Sequence, residues 1–281
     1  MMVDHRWEVR LCLVLCVAIG MAVCEESVAQ SETAGQLIAG ILANRLSGFR
    51  GRARLVRHDG RTGNEETKRL IVKARRDADT SRILYQVVSP AREAGQAVLI
   101  ESDAGHPARG LLIESPDKIT TLASRAMGRP LFGSDLRIED LTDDFLRWPG
   151  QEIVGNESVL GCLCRILESR PAAEEGSSYL VVRSWICPRM ALPLRVERVE
   201  RDGRRARTLV VQRTAKADRD HWMARSLLVT LPGDSSRTLF EGTSFDRDAV
   251  VPAAEFEIKA ICAAFKQARE PGSPSKKPPE P

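Results

Sequence analysis

The chain is 281 residues long, 43% hydrophobic, and carries 42 Lys and Arg against 38 Asp and Glu, a formal net charge of +4. That length fits one large β-rich domain as readily as two smaller ones. The mild basic surplus favours approach to anionic lipid head groups or acidic partners, and a leader directing the chain out of the cytoplasm argues against nucleic acid.

The leader is the first element. Arg6 and Arg10 precede an apolar run from Leu11 to Val23, and Ser27-Val28-Ala29 offers small residues where a signal peptidase reads. The run is too short for a permanent span, which needs about 20 apolar residues. Cys24 offers an alternative, lipid-modified start, but Val23 before it is bulkier than lipoprotein processing prefers, so cleavage is expected after Ala29. Residues 1–29 are thus read as a signal peptide and the mature protein as periplasmic. Cleavage removes Asp4, Glu8, Glu25 and Glu26 but only Arg6 and Arg10, which increases the basic surplus.

Leu37, Ile38, Ile41, Leu42 and Leu46 recur at helical spacing, with Ser31 or Thr33 placed to cap and Gly48 beyond the end. The period then changes to two: Leu70, Val72 and Ala74; Ile83, Tyr85 and Val87; Val98 and Ile100; Leu111 and Ile113. Turn clusters such as Asp59-Gly60, Ser89-Pro90 and Ser115-Pro116 separate these runs, and the gaps are too short for helices, so an antiparallel meander is predicted. From Lys118 the rhythm breaks into a Gly- and Pro-containing loop, after which Ile138, Leu141, Phe145 and Trp148 share a helical face.

Strands resume at Ile153–Val159, Cys162–Glu168, Tyr179–Ile186, Leu194–Glu200, Thr208–Arg213, Met223–Leu231 and Thr238–Phe245, with Asp202-Gly203 and Pro232-Gly233 as turns. A closing helix is expected over Ala254–Phe265. The prolines and lysines after Glu270 give a tail, residues 270–281, that cannot bury a core. About eleven strands are too many to lie flat, so the fold class is mainly β: an incomplete, half-open antiparallel barrel with helices covering its concave face and a cavity beneath them.

Cys162, Cys164, Cys187 and Cys262 remain after cleavage, in an oxidising compartment. Cys162 and Cys164 share one strand face and are badly placed to bond each other; either can meet Cys187 on the neighbouring strand, or all four are small buried hydrophobes. Zinc is disfavoured, because His58, His106 and His221 lie far from the cysteines and from one another.

Phe132-Gly133-Ser134-Asp135-Leu136, followed by Glu139-Asp140-Leu141, resembles the Phe-x-Gly-Ser-Asp and Glu-Asp-Leu signature of the outer-membrane lipoprotein-sorting-protein family, relatives of the LolA carrier. The resemblance runs from about Gln36 to Phe256, through Pro90, Gly95, Gly161, Trp185 and Pro193, so residues 30–269 read as one LolA-like domain. Leu136 and Ile138 stand where the family has aromatic residues. The resemblance implies an incomplete barrel lidded by helices, an interior that accepts acyl chains of lipoproteins or lipids, no cofactor, an inner-membrane exporter and an outer-membrane acceptor as partners, and a monomer. The alternative it implies is an envelope-stress or scaffold protein that binds a membrane protein's periplasmic segment.

Strands apolar on both faces suit a carrier, with one set of side chains in a core and the other toward cargo. Leu84, Val98, Ile100, Leu111, Ile113, Val182 and Trp185 are the acyl-binding candidates on strands, and Phe132, Phe145 and Trp148 those on the lid; ordinary core packing is the competing role for each. The acidic group Asp135, Glu139, Asp140, Asp143 and Asp144 is read as helix-start capping, not as a metal site, because no glycine sits where a calcium loop needs one. The basic run Arg195–Arg219 alternates with apolar residues and is read as solvated strand faces. No nucleophile elbow, zinc-protease pair or phosphate loop is present, and His221 beside Trp222 is the one tempting base, so no enzymatic activity is expected.

Overall fold

The first and last strands of the chain lie side by side in the middle of one antiparallel sheet. The computed structural model describes residues 33–269 except 78, 104–105, 173–176 and 248. The expected signal peptide, 1–29, and the proline-rich tail, 270–281, therefore fall outside the described residues. Helix α1 (Ala34–Ala43) opens the domain, its Thr33 side chain accepting from Gln36 N–H while Gln36 accepts from Thr33 N–H, a capping box that satisfies two backbone donors.

The first meander comprises β1 (Gly48–His58), β2 (Glu65–Arg76), β3 (Thr80–Ser89), β4 (Ala97–Asp103), β5 (Arg109–Ser115) and β6 (Lys118–Leu122). The second comprises β7 (Gly150–Val159), β8 (Cys162–Arg170), β9 (Tyr179–Cys187), β10 (Leu192–Glu200), β11 (Arg205–Lys216), β12 (Trp222–Thr230) and β13 (Arg237–Asp246). The spatial order is 6-5-4-3-2-1-13-12-11-10-9-8-7, so β6 and β7 are the free edges and the sheet does not close. Thirteen strands replace the eleven expected. The two additions are β1, which presents Arg50, Arg52 and Arg54 outward, and β6, a short polar edge strand.

At about 4.8 Å per step, β3 and β13 would lie roughly 14 Å apart in a flat sheet. The Tyr85 and Phe240 rings that they carry are instead 6.3 Å apart, which a sheet curled toward this face allows. We call that face inner. Residues 123–149, here termed the strap, join β6 to β7 across it. The strap is not the helix that its apolar spacing suggested. It is four 3₁₀ turns, Ser124–Gly128, Leu131–Gly133, Ile138–Leu141 and Asp144–Arg147, with Thr142 extended at φ −95°, ψ 154°.

The inner core joins Leu55 (β1), Leu70 (β2), Val87 (β3), Val98 (β4), Leu209 (β11) and Val229 (β12) to Leu131, Leu136 and Ile138 of the strap. Helix α1 lies over the same face, where Leu37 and Ile41 meet Leu167, Val182 and strap residues Phe145 and Trp148. Helix α2 (Ile258–Arg269), preceded by a 3₁₀ turn at Ala253–Phe256, does not. It packs on the outer face, with Val251, Phe256 and Ile261 against Leu84, Ala97, Leu99 and Ile113. The expectation that the helices cover the concave face therefore holds for α1 and fails for α2. Alternate residues of β3–β6 are apolar on both sides, so each side needs its own cover.

Candidate functional site

The strap owes its shape to the Phe132–Leu141 motif. Phe132 (φ 48°) and Gly133 (φ 78°) occupy the left-handed region in succession, a conformation glycine adopts freely and phenylalanine only under constraint. The reversal closes with Leu131 N–H donating to Leu136 O at 2.7 Å, and Ser134 Oγ donates to Leu131 O at 2.7 Å. This small hairpin turns Leu131, Leu136 and Ile138 inward, each with 0% exposure.

Each acidic residue of the strap fastens it to a different part of the fold. Asp135 accepts from Thr238 Oγ1 of β13 at 2.8 Å. Glu139 accepts from Ser177 Oγ at 2.9 Å. Asp143 pairs with Arg45 at 2.6 Å, and Asp144 accepts from Ala108 N–H at 2.7 Å. Asp140 caps its own turn by accepting from Arg137 N–H, but its carboxylate chiefly sits between Arg198 Nε of β10 at 2.9 Å and Arg207 Nη1 of β11 at 3.1 Å. Tyr179 donates to it from β9 at 3.1 Å. The Arg198 guanidinium is also flanked by the Tyr179 and Phe145 rings, at 5.0 and 5.3 Å. Burial first, and then the Asp140 charge, pushes the Tyr179 phenol above its ordinary range, so it remains a donor.

A hollow of about 240 Å³ opens at the C-terminal end of the strap. Its apolar wall is Pro107, Met127, Phe145 and Trp148, and its polar rim includes Glu139, Asp144 and Arg198. Burial raises the Asp144 carboxyl above the usual carboxylate range, against the opposing pull of the Ala108 N–H. Among the described residues no group of three His, Cys, Asp or Glu is arranged to hold a metal ion.

The sequence-derived candidates divide by face. Phe145 and Trp148 line the hollow. Val182 lies with them in the same core, and Val98 and Ile100 face the strap farther along. Ile100 also borders a second hollow of about 20 Å³, room for about one water. Phe132 packs on the inner core away from both hollows. Leu84, Leu111 and Ile113 are on the outer face under α2. Trp185 pairs in register with Ile166, on the side opposite Leu167, where its Nε1 donates to Glu157 at 2.7 Å and Arg195 lies 4.3 Å over its ring. Alternation had shown that successive residues part, but not which set faces the strap.

Arg198 and Arg207 are the important residues that sequence reasoning missed. They lay inside a basic run read as solvated, yet each is only 2% exposed. Cys187 is bonded to Cys162, leaving Cys164 a buried thiol. His221 is held by Asp218 at 2.8 Å, and Asp218 also meets Arg247.

An open antiparallel sheet, apolar inside and roofed by its own edge-to-edge crossover, defines the LolA class of fold, that of the outer-membrane lipoprotein-sorting proteins. Several solved structures share it. A DUF1329 family protein from Desulfovibrio piger superposes with a TM-score of 0.74 at 19% identity, over 81% of this chain and 97% of that one. A putative outer membrane lipoprotein-sorting protein domain from Vibrio parahaemolyticus gives 0.74 at 17% identity, over 82% and 98%. A LolA superfamily protein from Nitrosomonas europaea gives 0.62 at 16% identity, over 80% and 97%. No curated protein matches the sequence. A family model described only as uncharacterized protein-like matches residues 79–261, and the chain belongs to that family.

Proposed function

We propose that the protein is a periplasmic carrier that takes acyl chains of lipoproteins or lipids between the strap and the inner face, and conveys them from an inner-membrane donor toward the outer membrane. The reading includes export behind a leader cleaved after Ala29. No helix among the described residues is long and apolar enough to cross a membrane. The observation that supports the reading best is the hollow of about 240 Å³ at Phe145 and Trp148, continuous with an apolar face that the strap and α1 cover.

That hollow is smaller than the roughly 300–1,000 Å³ of ordinary ligand sites, so cargo enters by displacing strap side chains. The energies allow it. A palmitoyl-length chain of about 15 methylenes gains on the order of 12 kcal/mol on leaving water, at ~0.8 kcal/mol each. Met127, Leu131, Leu136 and Ile138, all at most 2% exposed, together gain roughly 6–12 kcal/mol from their own burial. Loading and release are then close to balanced, as a shuttle between two membranes requires.

The test is organic extraction of the purified mature protein followed by mass spectrometry, with titration of the delipidated protein by a fluorescent fatty acid. Stoichiometric lipid and saturable probe binding are expected. Ala108→Leu, which projects extra carbons into the hollow, should weaken the probe while the protein stays folded. A folded protein that comes out empty, ignores the probe and retains a protein partner instead refutes the carrier reading.

A further inference from the structure

We infer that the outer face of β2, β1, β13, β12 and β11 is a docking surface for an anionic lipid membrane. Helix α2 packs over β3–β6, and among the described residues no helix packs apolar side chains onto the outer side of these five central strands. The strand register places residues on this face in rows. One row reads Arg69, Arg54, Glu241, Ser226, Arg213 across the five strands in order. The next reads Thr67, Val56, Leu239, Leu228, Val210, of which the last four are half-buried and form an apolar stripe flanked by the charges. Arg237 lies beyond the stripe on β13, and Arg52 lies on the other side of the first row on β1.

Arg52, Arg54, Arg69, Arg213 and Arg237 are all exposed. Glu241 is the one acid of the first row, and it is already engaged by both Arg54 and Arg213; the row of Arg237 ends on β2 at Glu65, which forms no ion pair with Arg237. Arg52, Arg69 and Arg237 have no acidic partner among the described residues. Arg54 and Arg69 are directly opposite each other in register, an arrangement of like charges that costs stability in an isolated sheet. At the rim the surplus ends, because Glu255 at the foot of α2 neutralises Arg50 and Lys73.

The partner follows from the shape of this surface. These strands are interior to the sheet, so their backbone groups are paired and a peptide cannot add to them as a strand. An uncovered plane of guanidiniums around an apolar stripe fits phosphate oxygens, which accept paired N–H bonds from arginine, in a layer whose acyl region receives the stripe. The strap and its hollow are on the opposite face, so docking leaves them free.

The experiment is co-sedimentation of the delipidated mature protein with vesicles of phosphatidylethanolamine and phosphatidylglycerol, and with phosphatidylcholine vesicles alone. Binding to the anionic vesicles, and little to the zwitterionic ones, is expected. Each basic residue at such a surface contributes about fivefold, so Arg52→Gln, Arg69→Gln and Arg237→Gln together should weaken binding about a hundredfold. Removing three exposed cations elsewhere, Arg61→Gln, Lys118→Gln and Arg129→Gln, should change it only a few-fold. Arg69→Glu alone should melt no lower than the parent, because it relieves the clash with Arg54, and should still bind more weakly; it decides the matter if the triple variant does not fold. Absence of anionic-vesicle binding, unchanged binding by Arg69→Glu, or equal loss in both triple variants overturns the inference. Co-sedimentation with these outer-face variants reads attachment of that face and not occupancy of the hollow on the opposite face, so its failure leaves the carrier reading to its own test.

Discussion

Replacing Asp140 by Asn should destabilise the protein more than any exposed substitution. The carboxylate has no solvent exposure, and the side chains of its partners Arg198 and Arg207 are each 3% exposed. Asparagine keeps the volume and an acceptor for Arg137 N–H, but it leaves two guanidiniums buried without a counter-charge. Removing one member of a buried ionic cluster costs about 3–5 kcal/mol. In a domain of this size each kcal/mol lowers Tm by about 2–4 °C, so a fall of roughly 6–20 °C is expected. Thermal melting followed by circular dichroism at neutral pH measures it, and limited proteolysis should show cleavage within residues 123–149 before the rest. The combined replacement Asp140→Leu, Arg198→Met and Arg207→Met removes every charge at once and should recover most of the loss, since apolar substitutes for a buried ionic cluster are often neutral. A Tm for Asp140→Asn within about 2 °C of the parent would show that the strap is not held here, and would refute the argument from burial.

Two further outcomes follow from other contacts. The folded-state pKa of Asp144 is raised, chiefly by burial, so the folded protein holds its proton more readily than the unfolded chain and stability falls as pH rises through that window. Asp144→Asn should therefore be at least as stable as the parent at neutral pH, with the difference vanishing below the ordinary carboxylate range; pH-dependent urea unfolding in which the variant is the weaker at neutral pH contradicts this. Gly95 has φ 91°, and a Cβ there would sit 2.6 Å from the Phe265 ring and 2.8 Å from its Cα. Gly95→Ala should thus cost about 1–3 kcal/mol by overpacking and speed amide exchange in α2, whereas unchanged exchange would mean that α2 is not seated on this turn.

What the sequence reveals and conceals here follows physical lines. Strands whose apolar residues recur at every second position, such as Ile83, Tyr85 and Val87, are legible because the core needs them at period two. Strand β1 is not, because Gly51 and Ala53 supply inner positions with little side chain. The strap misleads because Ile138, Leu141, Phe145 and Trp148 satisfy a helical period, whereas five carboxylates with separate anchors pull the backbone into short turns instead. Arg198 and Arg207 look like surface residues until β10 and β11 bring them to Asp140, about 60 residues away in the chain. Charge pairing over that distance leaves no local pattern.

The seam between β1 and β13 has a consequence for biogenesis. Its partners, such as Leu55 and Phe240, are separated by nearly the whole domain, so this pairing cannot begin until the last strand has been delivered. Closing so large a loop is slow, and until it happens β1 and β12 each offer an unpaired edge that other chains can pair with. A truncation ending before Arg237 would make that exposure permanent, dividing one sheet into two meanders that no strand pairing joins and that only the strap and α1 bridge. Newly delivered protein is therefore most exposed to aggregation and proteolysis in the interval before its final strand docks.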